Sequence, residues 1–181
     1  PEFFVVKSVD SAGNYAFDCW HKGLTPTYNL VLNANFTEQN ANEFAAEATT
    51  DTLIQFGSVS GYWGGAGAGI SMIAYAWHSI PGFSSIGEYQ GSGTADGTFV
   101  YTGFRPAFVM TKSINTTNNW VVFDSARNPT NTGAYNALFP NTTNANYGPY
   151  DFNGNGNTYV YLAFAENPFV GSNVSPVTAV I

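Results

Sequence analysis

Pro1-Glu-Phe-Phe-Val-Val-Lys-Ser8 opens the chain, and a near copy, Pro106-Ala-Phe-Val-Met-Thr-Lys-Ser113, returns in its second half. Two further blocks recur in the same order. Asn14-Tyr-Ala-Phe-Asp18 answers Asn119-Trp-Val-Val-Phe-Asp124, and Ile73-Ala-Tyr-Ala-Trp77 answers Leu162-Ala-Phe-Ala-Glu166. Three ordered matches define a tandem duplication, which limits the fold to one built from two related units. The copies also act as controls on each other. Chemistry common to both is scaffold or shared function, and chemistry in one copy alone is a local addition.

Each copy reads as strands. Phe3–Lys7 and Phe108–Lys112 are aromatic and β-branched, bounded by Pro on one side and turn residues on the other. Asp10–Asn14 and Asn115–Asn119 supply the turns, and Tyr15–Phe17 and Trp120–Phe123 supply the return strands of two hairpins. Short strands are expected at Leu30–Leu32 and Ala137–Phe139. Closing strands are expected at Ser71–Trp77 and Thr158–Ala165, where Ala alternates with bulky residues and leaves one small face for a close neighbour. Phe83–Gln90 and Thr98–Thr102 add two more strands around the loop Gly91–Gly97. The segment Glu38–Ala48 is the one helix candidate. Many short strands with Gly, Pro and Asn punctuation give an all-β class. The expectation is two tandem antiparallel β-sandwich modules, of jelly-roll or concanavalin-like type. They would occupy residues 1–81 and 82–181. The first lacks a counterpart to Phe83–Arg105, from which the chain is expected to be part of a longer polypeptide.

Charged residues are only 9% of the 181, against about a quarter in ordinary soluble domains. With five Lys and Arg, scattered, and a net charge of −7, the chain lacks the basic surface that nucleic acid requires. No apolar run approaches the ~20 residues of a membrane helix. The lone Cys19 excludes an internal disulfide and reads as a small buried hydrophobe.

At Ile80–Met110 the sequence resembles the repeated lectin-like β-sandwich domains of tail fibres and other structural proteins of marine bacteriophages, cyanophages included. Asn119–Arg127 and Asn157–Phe169 are similar to that family too. In the first copy the likeness is carried by Trp20-His-Lys-Gly-Leu24 and Asn29-Leu-Val-Leu-Asn33. The resemblance implies a concanavalin-like sandwich, a place on the virion, and a structural or host-surface-binding role. It also implies partners: copies of this chain, trimers by analogy with phage fibres, other virion proteins, and host-surface glycans. The first copy departs from the pattern at Tyr62–Gly69.

Candidate chemistry is sparse. Asp18 and Asp124 read as equivalent strand-end residues, capping turns rather than forming the carboxylate pair of a glycosidase. Arg127 is placed to hold Asp124. Asp151-Phe-Asn-Gly-Asn-Gly-Asn157 has the oxygen spacing of a calcium loop, but Leu162 stands where the bidentate acid belongs. A tight turn is the expectation there, with no metal. His21 and His78 are too few and too far apart for zinc and are expected at surfaces or strand ends. Trp20, Trp77 and Trp120 lie in strands and are expected in core or interface. Tyr62 and Trp63, in a Gly-rich loop, are the candidate ring contacts for a sugar. The sequence therefore points to a non-enzymatic virion structural protein that contacts host glycans, with no cofactor. The alternatives are a decoration or spacer protein without ligand, and a glycan depolymerase.

Overall fold

The computed structural model describes residues 1–9, 16–40, 50, 52–56, 71–129, 137–143 and 152–168. Nine strands follow in order: β1 (Phe3–Ser8), β2 (Asp18–His21), β3 (Tyr28–Val31), β4 (Gln39–Asn40), β5 (Met72–Trp77), β6 (Ser84–Gln90), β7 (Pro106–Ser113), β8 (Val121–Asp124) and β9 (Thr158–Ala165). All pairings are antiparallel. They make a five-stranded sheet, β4-β3-β2-β1-β5, and a four-stranded sheet, β6-β9-β7-β8. The described residues contain no helix. At Glu38–Ala48, where a helix was a candidate, Gln39 and Asn40 form β4 against β3, and residues 41–49 lie outside the described residues.

The two sheets pack together as a single β-sandwich rather than as two tandem modules. The reason lies in what one copy supplies. Among the described residues a copy gives one three-strand core, β2-β1-β5 or β8-β7-β9, with an apolar face turned to the core and no second sheet of its own to cover it. The copies cover each other instead. Phe3, Val5 and Leu30 from the first and Met110, Trp120 and Leu162 from the second belong to one buried cluster. Bonds among the described residues also cross between the sheets or their extensions, as from Trp120 Nε1–H to Val31 O at 2.9 Å, from Glu38 N–H to Ile114 O at 2.8 Å, and from His21 Nε2 to Tyr161 O at 3.4 Å.

The central strands earn their burial from position. In β1, Phe3 and Val5 face the shared core, while Phe4 and Val6 form a second small cluster with Trp20, Ile54 and Met72 on the opposite face. Buried on both faces, β1 reads as a continuous apolar run. Trp77 stacks on Phe3 and Trp20 on Phe4, with ring centroids 5.5 and 5.3 Å apart, and Trp120, just ahead of β8, is buried in the shared core, so all three serve packing.

The ladders correct the alignment of the copies. Phe3 and Phe108 are equivalent, and their partners in the closing strands are Trp77 and Phe164. The structure thus equates Trp77 with Phe164, not with Glu166. A slip of this kind keeps each side chain on its face, because strand side chains alternate. The hairpins shift by three residues, an odd number that exchanges faces: β2 starts at Asp18, and Phe3 lies opposite His21 where Phe108 lies opposite Asp124, while Tyr15 lies outside the described residues. Asp18 opens β2 and Asp124 ends β8, so the two are not counterparts. Ala137–Phe139 contributes a single bridge, Leu138 to Val122, and Thr98–Thr102 forms no ladder.

Candidate interaction surface

The histidines and carboxylates are used in the scaffold. His21 closes β2, the strand-end alternative expected of it, and is buried there. Its Nδ1 accepts from Gly23 N–H at 2.9 Å, which leaves the proton on Nε2 to point at Tyr161 O. Burial holds its pKa down at about 4. Asp18 is buried and accepts from Asn29 Nδ2 at 3.0 Å. Asp124 accepts from Arg127 main-chain N–H at 2.8 Å and is paired with the Arg127 guanidinium, which lowers its pKa. His78 is exposed, beyond the end of β5. Cys19 is fully buried, and burial pushes its thiol up. Among the described residues no three His, Cys, Asp or Glu side chains group as metal ligands.

The loop read against a calcium pattern is a clamp in its described part. Asp151 lies outside the described residues. Asn153 Oδ1 accepts from Ser92 N–H at 2.8 Å and from Ser92 Oγ–H at 3.2 Å, and its Nδ2 donates to Thr94 O at 2.8 Å. Gly91 N–H donates to Asn157 O and Gly93 N–H to Asn153 O, both at 2.8 Å. The two loops approach so closely that a Cβ on Gly91 would stand 2.1 Å from Gly154 O. Only glycine fits there. The clamp rests on the sheet through Tyr89, whose hydroxyl donates to Phe152 O at 2.7 Å, and buried Tyr159, whose hydroxyl accepts from Gly154 N–H at 2.8 Å.

Past the clamp the chain changes character. β6 and β7 flank β9 in parallel, so residues 91–105 must travel the length of the four-stranded sheet from Gln90 to Pro106. Thr98 Oγ–H pins the start to Gln90 O at 2.5 Å. Arg105 pins the end, with Nε 3.1 Å from Glu166 Oε2 and Nη2–H bonded to Pro129 O at 3.2 Å. Between the pins burial alternates as in a strand. Val100, Thr102 and Phe104 are half-buried, and Phe99, Tyr101, Gly103 and Arg105 face solvent. Phe99 is 88% exposed and Tyr101 81%. Values so high leave main chain as well as ring open. Among the described residues, Phe99, Val100 and Tyr101 make no main-chain hydrogen bond.

Sequence reasoning placed a strand at Thr98–Thr102 but did not expect it to stand outside both sheets with its rings in water. The signal was present: five uncharged residues of high strand propensity beside a Gly-rich loop. Tyr62 and Trp63, the sugar-contact candidates, lie outside the described residues. A second, lesser exposed patch occurs on β5, where Ile73 is 40% and Tyr75 53% exposed.

The model of a domain of unknown function, DUF7483, matches residues 1–168. No curated protein and no solved structure matches the chain.

Proposed function

We propose that this chain, which belongs to the DUF7483 family, is a structural module of a phage virion appendage of tail-fibre type. It assembles with copies of itself and contacts host-surface glycans, with no catalytic step. The observation that carries this reading is the strip at residues 97–105. An all-β scaffold projects two rings and open main chain into solvent. Large exposed apolar groups of this kind mark contact surfaces.

Two further observations support it. The sequence resemblance runs through the strip itself, from Ile80 to Met110. The chain is rich in Asn, Thr, Ser and Gly and is only 9% charged. It suits neutral hydroxylated ligands and close packing between identical subunits, which charge would oppose. Repetition of weak sites on one assembly then raises avidity without stronger individual contacts. Tyr62 and Trp63 remain the residues proposed to stack on sugar rings.

The test has two arms. Antibody against the chain is expected to label the surface or tail of purified particles in electron micrographs, and its absence from particles sinks the virion reading. On a glycan array the full chain is expected to give a signal that Trp63→Ala removes. Labelled particles with no array signal leave a decoration or spacer protein. Release of oligosaccharide from host polysaccharide establishes the depolymerase in its place.

A further inference from the structure

Thr98-Phe-Val-Tyr-Thr102 reads nearly the same in both directions. That has a structural meaning in an extended, unladdered segment. When two copies of one strand lie antiparallel about a shared centre at Val100, Val100 faces Val100, Phe99 faces Tyr101, and Thr98 faces Thr102. Every pair is matched in size and kind. Aromatic pairs placed opposite each other are favourable cross-strand neighbours, and a two-fold contact requires this self-complementarity.

We infer that residues 98–102 are a self-pairing strand, through which two copies of this chain join edge to edge. The inference rests on the assembly part of the function proposed above and names its contact. Four observations carry it. From Phe99 to Phe104 the segment alternates exposed and half-buried residues as a strand does. Phe99, Val100 and Tyr101 have main-chain donors and acceptors without partners among the described residues. Phe99 and Tyr101 are 88% and 81% exposed, so nothing stands beside them. No charge, proline or bulge guards the edge between Asp96 and Arg105, although proteins ordinarily protect exposed edges with such devices. The flanking charges agree with the pairing. Antiparallel alignment about Val100 brings Asp96 of each copy toward the Arg105 end of the other.

A sugar platform fits the same rings less well. Along the exposed side of the strip the polar neighbour is Arg105, already held by Glu166 and Pro129 O. The Thr98 hydroxyl beside Phe99 is bonded to Gln90 O at 2.5 Å, and open main chain is a feature that a peptide strand uses and a sugar does not.

The closest contact is also the test. Residues directly opposite in an antiparallel pair have Cα atoms about 4.5–5.5 Å apart, within the ~4.4–6.8 Å that a disulfide spans. The variant Val100→Cys is expected to cross-link into covalent dimers under mild oxidant. Asn35→Cys, exposed on the other sheet, is expected to stay monomeric, and native Cys19 is fully buried and silent. By light scattering the unmodified chain is expected at twice its 19.4 kDa. Val100→Pro, which removes a ladder N–H, is expected to return it to the monomer mass with an unchanged melting temperature. The double variant Phe99→Ser with Tyr101→Ser changes only solvent-facing side chains, and is expected to do the same should Val100→Pro fold poorly. A chain that is monomeric at its highest soluble concentration overturns the inference. So does an oligomer that both variants leave intact, which keeps the assembly role but moves the contact elsewhere. A monomer whose glycan-array signal is lost in the double variant assigns the rings to sugar and overturns it as well.

Discussion

The closing strands of the two sheets share a pattern and differ in their surroundings. In the four-stranded sheet, β9 lies between β6 and β7, and Tyr159 and Ala163 are fully buried. In the five-stranded sheet, β5 is bordered among the described residues by β1 alone, and Ile73, Ala74, Tyr75 and Ala76 are exposed. Both strands alternate small and bulky residues. Burial therefore follows the number of neighbouring strands, not the alternation. The difference comes from β6, which has no counterpart beside β5 among the described residues. Gly87 of β6 lies so close over Tyr161 that a Cβ would stand 2.9 Å from its ring, and Tyr89 stacks on Tyr159 at 5.0 Å. The duplication reproduced a three-strand sheet, and added strands determined which copy became the sealed side.

The contrast predicts unequal costs for similar truncations. The ladders make Leu162 the equivalent of Tyr75. Leu162→Ala opens a cavity in the shared core and is expected to lose about 2–5 kcal/mol in urea unfolding. Tyr75→Ala removes a half-exposed ring that stacks on Trp77, and is expected to lose below about 1 kcal/mol. Equal losses would mean that β5 is covered in solution as fully as β9.

The sheets are also expected to respond to opposite ends of the pH scale. His21, in the five-stranded sheet, is held at about 4 by burial, against 6.5 in an open chain. Between those values the unfolded chain binds a proton that the folded chain refuses. Stability is therefore complete above pH 6.5 and declines as pH falls toward 4, by about 3 kcal/mol in all. Lys112, in the four-stranded sheet, is lowered by burial to about 8 from 10.5. There the unfolded chain holds the extra proton between pH 8 and 10.5, so stability rises with pH across that window. Urea midpoints of His21→Leu are expected to lose the acid slope and keep the alkaline one, and those of Lys112→Met the reverse. A variant that shifts both slopes would show that the sheets do not titrate separately.

Much of this was legible along the chain, and the missing parts have physical causes. Phe3–Lys7 and Phe108–Lys112 announce strands because aromatic and β-branched residues suit a pleated, packed surface. The alternation Ala74, Ala76 announces a strand but not its register, since a slip by two changes no face. Asp18 and Asp124 look equivalent because each follows a Phe at a strand end, although the ladders set them three residues apart. Whether two copies close separately or against each other depends on how many sheets one copy supplies, which no local pattern records. Thr98–Thr102 has strand composition, yet β9 already has a neighbour on each side and the segment joins neither sheet. The sugar-contact residues Tyr62 and Trp63 and the Asp151 end of the candidate calcium loop fall outside the described residues, so the sequence reading is all that bears on them.

One side chain couples the sheets across their seam at modest cost. Trp120 is buried, and its Nε1–H reaches Val31 O in the opposite sheet at 2.9 Å. Trp120→Phe keeps most of the apolar area and removes one of two donors to that carbonyl, which still accepts from Ala34 N–H at 3.2 Å. The expected loss is about 1–2 kcal/mol, smaller than that of Leu162→Ala because no comparable cavity forms. Differential scanning calorimetry is expected to retain one transition. Separation into two would mean that the sheets are held together chiefly by this bond rather than by their common core.

The smallest effect is expected where the chain passes from one sheet to the other, between Trp77 and Ser84. Glu2 Oε2 accepts from Ser79 N–H at 2.7 Å and from Ser79 Oγ–H at 2.5 Å, and Oε1 pairs with Lys22 at 2.8 Å. Ser79 Oγ in turn accepts from Ile86 N–H at 3.0 Å, so Glu2 steadies the first residues of β6 from the far sheet. Partial burial works to raise its pKa, but the bonds from Lys22 and Ser79 outweigh burial and bring it down to about 2 from 4.5. A carboxyl lowered in this way contributes its stability fully above pH 4.5 and loses it as pH falls toward 2. Lys22 is solvated, which weakens the pair, and the contribution is expected to be about 1 kcal/mol or less. Glu2→Gln keeps the shape and one acceptor, and is expected to flatten the unfolding midpoint below pH 4.5 while leaving the His21 window between 6.5 and 4 unchanged. If it also removes the slope above pH 4.5, Glu2 and His21 titrate as one group, and the acid response belongs to the seam rather than to the five-stranded sheet.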